Sequence, residues 1–138
     1  MCPDGDPVTA VEHRELIEQL RSAQSVLIVD DHESFRRCAR ALLTSEGFEI
    51  VGEAADGTTA LELATALDPE LVLLDIQLPD IDGFEVAQKL LAENPKRQIV
   101  LVSSRDRSAY GPLIEASGAR GFVSKGDLSR TALDRLLE

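Results

Sequence analysis

The stretch Leu71-Val72-Leu73-Leu74-Asp75 opens the segment LVLLDIQLPDIDG (Leu71–Gly83). Four consecutive apolar residues that stop at a carboxylate read as a short strand buried on both faces. Pro69 stops the helix before it, and Asp80-Ile81-Asp82-Gly83 reads as a turn and helix start beyond its end. Two other runs have the same form. VLIV at Val26–Val29 stops at Asp30-Asp31, and QIVLV at Gln98–Val102 stops at Ser103-Ser104. Between and after them the period changes. Ser34–Glu46 places Phe35, Ala39, Leu42 and Leu43 on one helical face and ends at Gly47, as a glycine just past a helix does. Phe48–Ala54 reads as a weaker strand. Gly57–Leu67 reads as a helix with Leu63 and Leu67, or Ala60 and Ala64, at spacing four. Phe84–Ala92 is helical through Phe84, Ala87, Leu90 and Leu91, and Ser108–Ala116 is a weaker helix whose first turn Gly111-Pro112 makes irregular. Arg120–Val123 is a short strand ending at Ser124-Lys125, and Leu128–Leu137 is a last helix with Leu128, Ala132, Leu133, Leu136 and Leu137 facing inward.

Strand and helix therefore alternate five times, which predicts an α/β fold: a doubly wound parallel sheet with helices on both faces. Ligands of such sheets bind beyond the carboxyl ends of the strands, where the strand order reverses. Ahead of this domain (25–138) lies an N-terminal extension (1–24). Its first seven residues, MCPDGDP, are loose in composition, and Val8–Arg21 carries a partial helical stripe.

The chain has 138 residues, one domain's worth, with 43% hydrophobic and 28% charged residues. With 14 basic and 25 acidic residues its formal charge is −11, which argues against direct binding to DNA or RNA. No apolar run approaches membrane-spanning length and Met1–Pro7 does not resemble a signal peptide, so a cytoplasmic protein is expected. Two cysteines, Cys2 and Cys38, make no disulfide scaffold. Cys38 is expected to pack at its helix border.

Asp30, Asp31 and Asp75, with Ser103 and Lys125, fall at the same end of the predicted sheet. Clustered carboxylates repel unless a cation joins them, and hard oxygen donors suit Mg²⁺ better than zinc. A carboxylate can also attack phosphorus to form an aspartyl phosphate, while a metal and a lysine neutralise the phosphoryl oxygens. Asp80-Ile81-Asp82-Gly83 imitates the DxDG of haloacid-dehalogenase-type phosphatases. That motif needs its first aspartate directly at the strand end, and here Leu78-Pro79 intervenes. Asp82 fits better as a helix cap. His32 is expected to face solvent or bond within its loop, and Tyr110 to be half-buried packing. Neither GxGxxG nor GxxxxGK[ST] occurs.

Four segments in order, VLIVDD (26–31), LVLLDIQLPDIDG (71–83), IVLVSS (99–104) and GFVSK (121–125), resemble the response-regulator receiver domain of two-component signalling systems. The form VDDH at Val29–His32 and the ending GARGFVSK look most like its LuxR/NarL-type branch. The resemblance spans roughly Ser25 to Leu137. It implies a flavodoxin-like five-stranded sheet of order 2-1-3-4-5, with Asp75 as phosphoacceptor and a sensor histidine kinase or small phosphodonor as the source of the phosphoryl group. It implies Mg²⁺ held by Asp30, Asp31, Asp75 and the Gln77 carbonyl, with Asp31 the direct ligand and Asp30 acting through water. Ser103 matches the switch hydroxyl, Phe122 the switch aromatic and Lys125 the phosphate-binding lysine. Gln77 and Arg105 lie where the family tunes hydrolysis, and Pro79 and Gly83 shape the loop after the phosphoacceptor. The expected role is signalling rather than enzymatic, beyond slow self-dephosphorylation. Its output is self-association or a protein partner on the face of the fourth helix, fifth strand and fifth helix.

Two departures stand out. The family usually has a proline, often in a cis peptide, after its lysine. Here Gly126 follows, and a cis bond before a non-proline costs about 2.5–4 kcal/mol, so unusual glycine dihedrals are expected instead. Phe122 has no hydroxyl, so its part in any switch is packing. Thirteen residues follow Lys125, which the last helix uses, so the sequence reads as a stand-alone receiver or the receiver part of a longer regulator. The alternative is a receiver-fold interaction module that phosphorylation does not control.

Overall fold

The computed structural model describes residues 24–129 together with Ala132 and Arg135. Five strands alternate with helices: β1 (Ser25–Val29), α1 (Glu33–Ser45), β2 (Glu49–Ala54), α2 (Gly57–Leu67), β3 (Leu71–Asp75), α3 (Gly83–Glu93), β4 (Gln98–Ser103), α4 (Leu113–Ala116) and β5 (Gly121–Ser124). All pairings are parallel and the order is β2-β1-β3-β4-β5, as expected. The connections diverge on either side of β1 and β3, so the switch point lies beyond Val29 and Asp75.

The wholly apolar strands are explained by a core on each face. Side chains alternate along a strand. Leu27, Val29, Val72, Leu74, Ile99 and Leu101 meet Ala60 and Ala64 of α2, Val86, Ala87 and Leu90 of α3, and Ile114 of α4. Val26, Ile28, Leu71, Leu73, Val100 and Val102 meet Ala39 and Leu43 of α1 on the other side. In α2 the small residues face inward, and Leu67 is 42% exposed.

Caps fix where helices begin and end. Asp56 accepts from the Thr59 amide at 2.7 Å at the start of α2, and Asp82 from Phe84 at 2.7 Å at the start of α3, the capping role expected of it. Gly47 closes α1 with φ +100°, a conformation that glycine adopts without strain.

Several expectations change. The helix predicted over Ser108–Ala116 is split into a 3₁₀ turn at Arg107–Ala109 and the four-residue α4. Gly111 at φ +56° cannot continue a helix, and Pro112 lacks the amide to do so. Cys38 is exposed rather than packed, because the buried stripe of α1 runs through Ala39 and Leu43. Gly126 has no unusual dihedral: it sits in a 3₁₀ turn, Lys125–Asp127, and among the described residues every peptide bond is trans. The last helix does not start at Leu128, which is extended with ψ 123°. Ser129 Oγ instead accepts from the Ala132 amide at 3.1 Å, and Ala132 and Arg135 are helical. The N-terminal extension up to Ala23, with its predicted helix, and Leu133, Leu136 and Leu137, expected to face inward, lie outside the described residues. No helix among the described residues is long and apolar enough to cross a membrane.

Candidate functional site

Three loops converge at the switch point. The loop after β1 carries Asp30 and Asp31, the end of β3 carries Asp75, and the turn after β5 carries Lys125. Asp30 and Asp75 are 0% and 2% exposed, a costly placement for carboxylates without partners. Asp30 Oδ1 accepts from the His32 amide at 2.8 Å and lies 3.0 Å from His32 Nδ1. Asp75 Oδ1 accepts from the Gln77 amide at 3.2 Å. The other oxygen of each, Oδ2, is buried with no hydrogen-bond partner. Lys125 Nζ approaches these two oxygens at 2.6 and 3.5 Å as an ion pair, without hydrogen-bond geometry. The same ammonium lies 4.8 Å above the Phe35 ring.

Burial, and then the neighbouring charge of Asp30, push the Asp75 carboxyl up to about 6, against the opposing pull of Lys125. One ammonium cannot balance three carboxylates. Single ligand atoms from Asp30, Asp31, His32 and Asp75 lie within 4.8 Å of one another. Hard oxygen donors, excess negative charge and two buried carboxylate oxygens that share a single lysine suit a hard divalent cation.

The surrounding backbone is built to hold this pocket. Gly83 begins α3 directly against the end of β3: a Cβ there would lie 2.5 Å from the Asp75 carbonyl oxygen and 2.6 Å from Ile76 Cα. Its amide donates to the Ile76 carbonyl at 2.9 Å. Arg36 of α1 donates to the Asp30 carbonyl at 2.7 Å and to Glu53 at 3.1 Å. Asp80 ties the loop after β3 to α2, accepting from Gly57 N at 2.8 Å, Thr58 N at 2.9 Å and Thr58 Oγ1 at 2.7 Å. These bonds, the Thr58 hydroxyl first, hold the Asp80 carboxyl well below the usual range.

The structure thus brings together Asp30, Asp31, Asp75 and Lys125. Gln77 contributes its amide to Asp75, and its side chain is exposed. Ser103 is fully buried, but its hydroxyl is bonded elsewhere: it lies 2.6 Å from Tyr110 Oη and accepts from the Arg105 amide at 3.1 Å. Phe122 is half-buried, with its ring 6.0 Å from that of Tyr110. Tyr110 is half-buried as expected, yet its hydroxyl contact is one that no local sequence pattern announces. His32 faces solvent with 64% of its side chain and bonds within its loop, reaching Asp30 and also Asp31 at 3.1 Å.

A doubly wound α/β domain with an acidic, lysine-paired pocket at the carboxyl edge of its sheet is a recognisable class of molecule. Residues 26–137 match the response regulator receiver domain, and the chain belongs to that family. It is 37% identical over 102 residues to the response regulator GacA of Pseudomonas aeruginosa, a match covering 73% of this chain and 48% of GacA. A solved two-component response regulator of the LuxR family from Aurantimonas sp. SI85-9A1 superposes with a TM-score of 0.74 at 26% identity, covering 83% of this chain and 85% of that one. CheY in the CheX–CheY–BeF3–Mg²⁺ complex from Borrelia burgdorferi gives 0.73 at 27%, covering 83% and 86%. The similar proteins include regulators of the LuxR/NarL type, and the chain spans about half the length of the curated relatives it matches.

Proposed function

We propose that this receiver takes a phosphoryl group onto Asp75 from a sensor histidine kinase or a small phosphodonor, and that the resulting state alters a protein-interaction surface. The observation that carries this is the pair of buried, hydrogen-bond-free Oδ2 atoms of Asp30 and Asp75 facing a single lysine. A pocket held in that condition is poised for added positive charge and for a group that shares it. The CheY chain to which this one is similar was solved with beryllium trifluoride and Mg²⁺.

In this reading Asp31, Asp75 and the Gln77 carbonyl would hold Mg²⁺, with Asp30 acting through water. When bound, the ion would offset charge on the phosphoryl oxygens. An Asp75 carboxylate oxygen attacks phosphorus. The bond from phosphorus to the donor's nitrogen or oxygen breaks, and its electron pair leaves with the donor. Lys125 then pairs with a phosphoryl oxygen, and Ser103 turns its hydroxyl toward another. Phe122 takes the space that Ser103 leaves. Differential contacts of the phosphoryl group supply the bias between two states. The receiver would act on DNA only through whatever longer regulator carries it.

The test is intact mass after incubation with Mg²⁺ and acetyl phosphate, beside Asp75→Asn. Wild type should gain one phosphoryl group and the variant none. A wild type that stays unmodified, or a variant modified equally, overturns the assignment. Output contacts that ignore the phosphodonor and survive Asp75→Asn would favour the constitutive interaction module instead.

A further inference from the structure

We infer that Tyr110 is a positioning residue for the switch hydroxyl: its phenol holds Ser103 in the unphosphorylated arrangement and must release it when a phosphoryl group occupies Asp75. This rests on the phosphoacceptor role proposed for Asp75.

The geometry starts with strand parity. Along β4, Ser103 follows Ile99 and Leu101, which face the core beneath α2, α3 and α4. Along β3, Asp75 follows Leu71 and Leu73, which face the opposite core. Alternation therefore sends the Ser103 side chain toward the cluster of Phe84, Tyr110 and Phe122. The Tyr110 ring lies 5.8 Å from Phe84 and 6.0 Å from Phe122. Ser103 has one hydroxyl, with a single proton and two lone pairs. One lone pair takes the Arg105 amide at 3.1 Å, and the contact with Tyr110 at 2.6 Å uses the proton or the remaining pair. Both contacts hold the hydroxyl oxygen on the Tyr110 side of the sheet, and no bond joins it to Asp75. To donate to a phosphoryl oxygen on Asp75 it has to turn away from Tyr110.

Tyr110 sits at the end of the 3₁₀ turn Arg107–Ala109 and directly before Gly111-Pro112. Its amide donates to the Arg107 carbonyl at 3.1 Å, closing that turn, and α4 begins three residues later. Release of the phenol therefore frees the start of a segment with little regular structure of its own. Phe122, which lacks a hydroxyl, cannot exchange hydrogen bonds with Ser103. Tyr110 supplies, from a different element, the hydroxyl that Phe122 lacks.

The chain contains one tyrosine and no tryptophan, so its near-ultraviolet absorption and tyrosine emission report on Tyr110. Beryllium fluoride with Mg²⁺ serves as the phosphoryl analogue. Wild type should show a saturable change in the tyrosine signal that is absent in Asp75→Asn and strongly reduced in Ser103→Ala. Tyr110→Phe keeps the ring packing and removes the phenol. It should bind the analogue more tightly by roughly two- to tenfold, the range of one neutral hydrogen bond, with binding followed by protection against urea. In a Ser103→Ala background the same change should leave the affinity unaltered. Unchanged or weakened binding by Tyr110→Phe, or an equal gain in the Ser103→Ala background, overturns the latch. A wild-type chain that takes up no analogue overturns the phosphoacceptor role and the latch with it, so the two failures are told apart.

Discussion

Lys125 Nζ stands 2.6 Å from Asp30 Oδ2 at the bottom of a pocket from which Asp30 is wholly hidden. Removing the ammonium leaves two buried carboxylates against each other, and breaking a buried pair from one side costs several kcal/mol.

Lys125→Met is accordingly expected to lower the stability of the protein in chelator by about 3 kcal/mol, measured by urea unfolding. Millimolar Mg²⁺ should stabilise the variant more than it stabilises wild type, because the ion then supplies charge the lysine no longer gives. A smaller Mg²⁺ effect in the variant would show that lysine and metal do not share the same carboxylates.

Asp75 imposes a pH dependence of definite sign. Its carboxyl is raised from an ordinary 3.8 to about 6 in the folded protein, chiefly by burial. The folded state therefore holds this proton more tightly than the unfolded chain. The associated stability is fully present below about pH 4 and is lost as pH rises through 6. Two units correspond to about 3 kcal/mol. In metal-free buffer, Asp75→Asn should match wild type near the acid end of that window and exceed it by about 2–3 kcal/mol at neutral pH. A gap that does not widen with pH counts against a raised carboxyl.

Gly83 and Gly126 make opposite predictions although both flank the site. A methyl group at Gly83 meets backbone at 2.5 and 2.6 Å, whereas one at Gly126 meets nothing within 4 Å, and Gly126 has no positive φ. Gly83→Ala should cost about 1–3 kcal/mol by overpacking and weaken Mg²⁺ binding, since α3 must draw back from Asp75. Gly126→Ala should stay within about 0.5 kcal/mol of wild type and bind Mg²⁺ equally well. Urea unfolding and metal titration of the two variants give the comparison.

Asp80 provides a fourth. Its carboxyl is held low by Thr58 and by the amides of Gly57 and Thr58. Its contribution is present above the ordinary carboxyl range and is lost as acid protonates it. Asp80→Ala should lower the melting midpoint at neutral pH and speed amide exchange at Gly57 and Thr58, and the difference in midpoint should shrink in acid. Unchanged exchange at those two amides would mean that the tether carries no stability.

The fold was legible because its signal is local and repeated. A strand such as Leu71–Leu74, apolar on both sides, has few homes other than a sheet covered on both faces. The site was legible for the same reason: Asp30, Asp31, Asp75 and Lys125 stand at or just past the carboxyl ends of strands, so topology alone collects them. What escaped depends on partners far along the chain. Asp80 looked like a turn residue, and its partners lie 22 and 23 positions upstream. Arg97 is buried in a network with Asp68 at 2.7 Å and Glu93 at 2.9 Å, and no local periodicity marks it. Tyr110 is seven positions from Ser103, but a broken helix lies between them and the next strand. The pattern predicted a longer helix there, because Leu113 and Ile114 suit one while Gly111-Pro112 forbids it. Cys38 failed differently, since one residue's rotation around α1 separates it from the buried Ala39.

The four-residue α4 has a thermodynamic consequence. So short an element cannot nucleate its own hydrogen-bonded turns and persists only through the side chains that anchor it. Its free-energy distance from alternative arrangements is correspondingly shallow. A few new contacts of the kind proposed around a phosphoryl group would then be commensurate with that difference. The acidic pocket stands on central strands, and the readout proposed above would fall on the stretch that resists least.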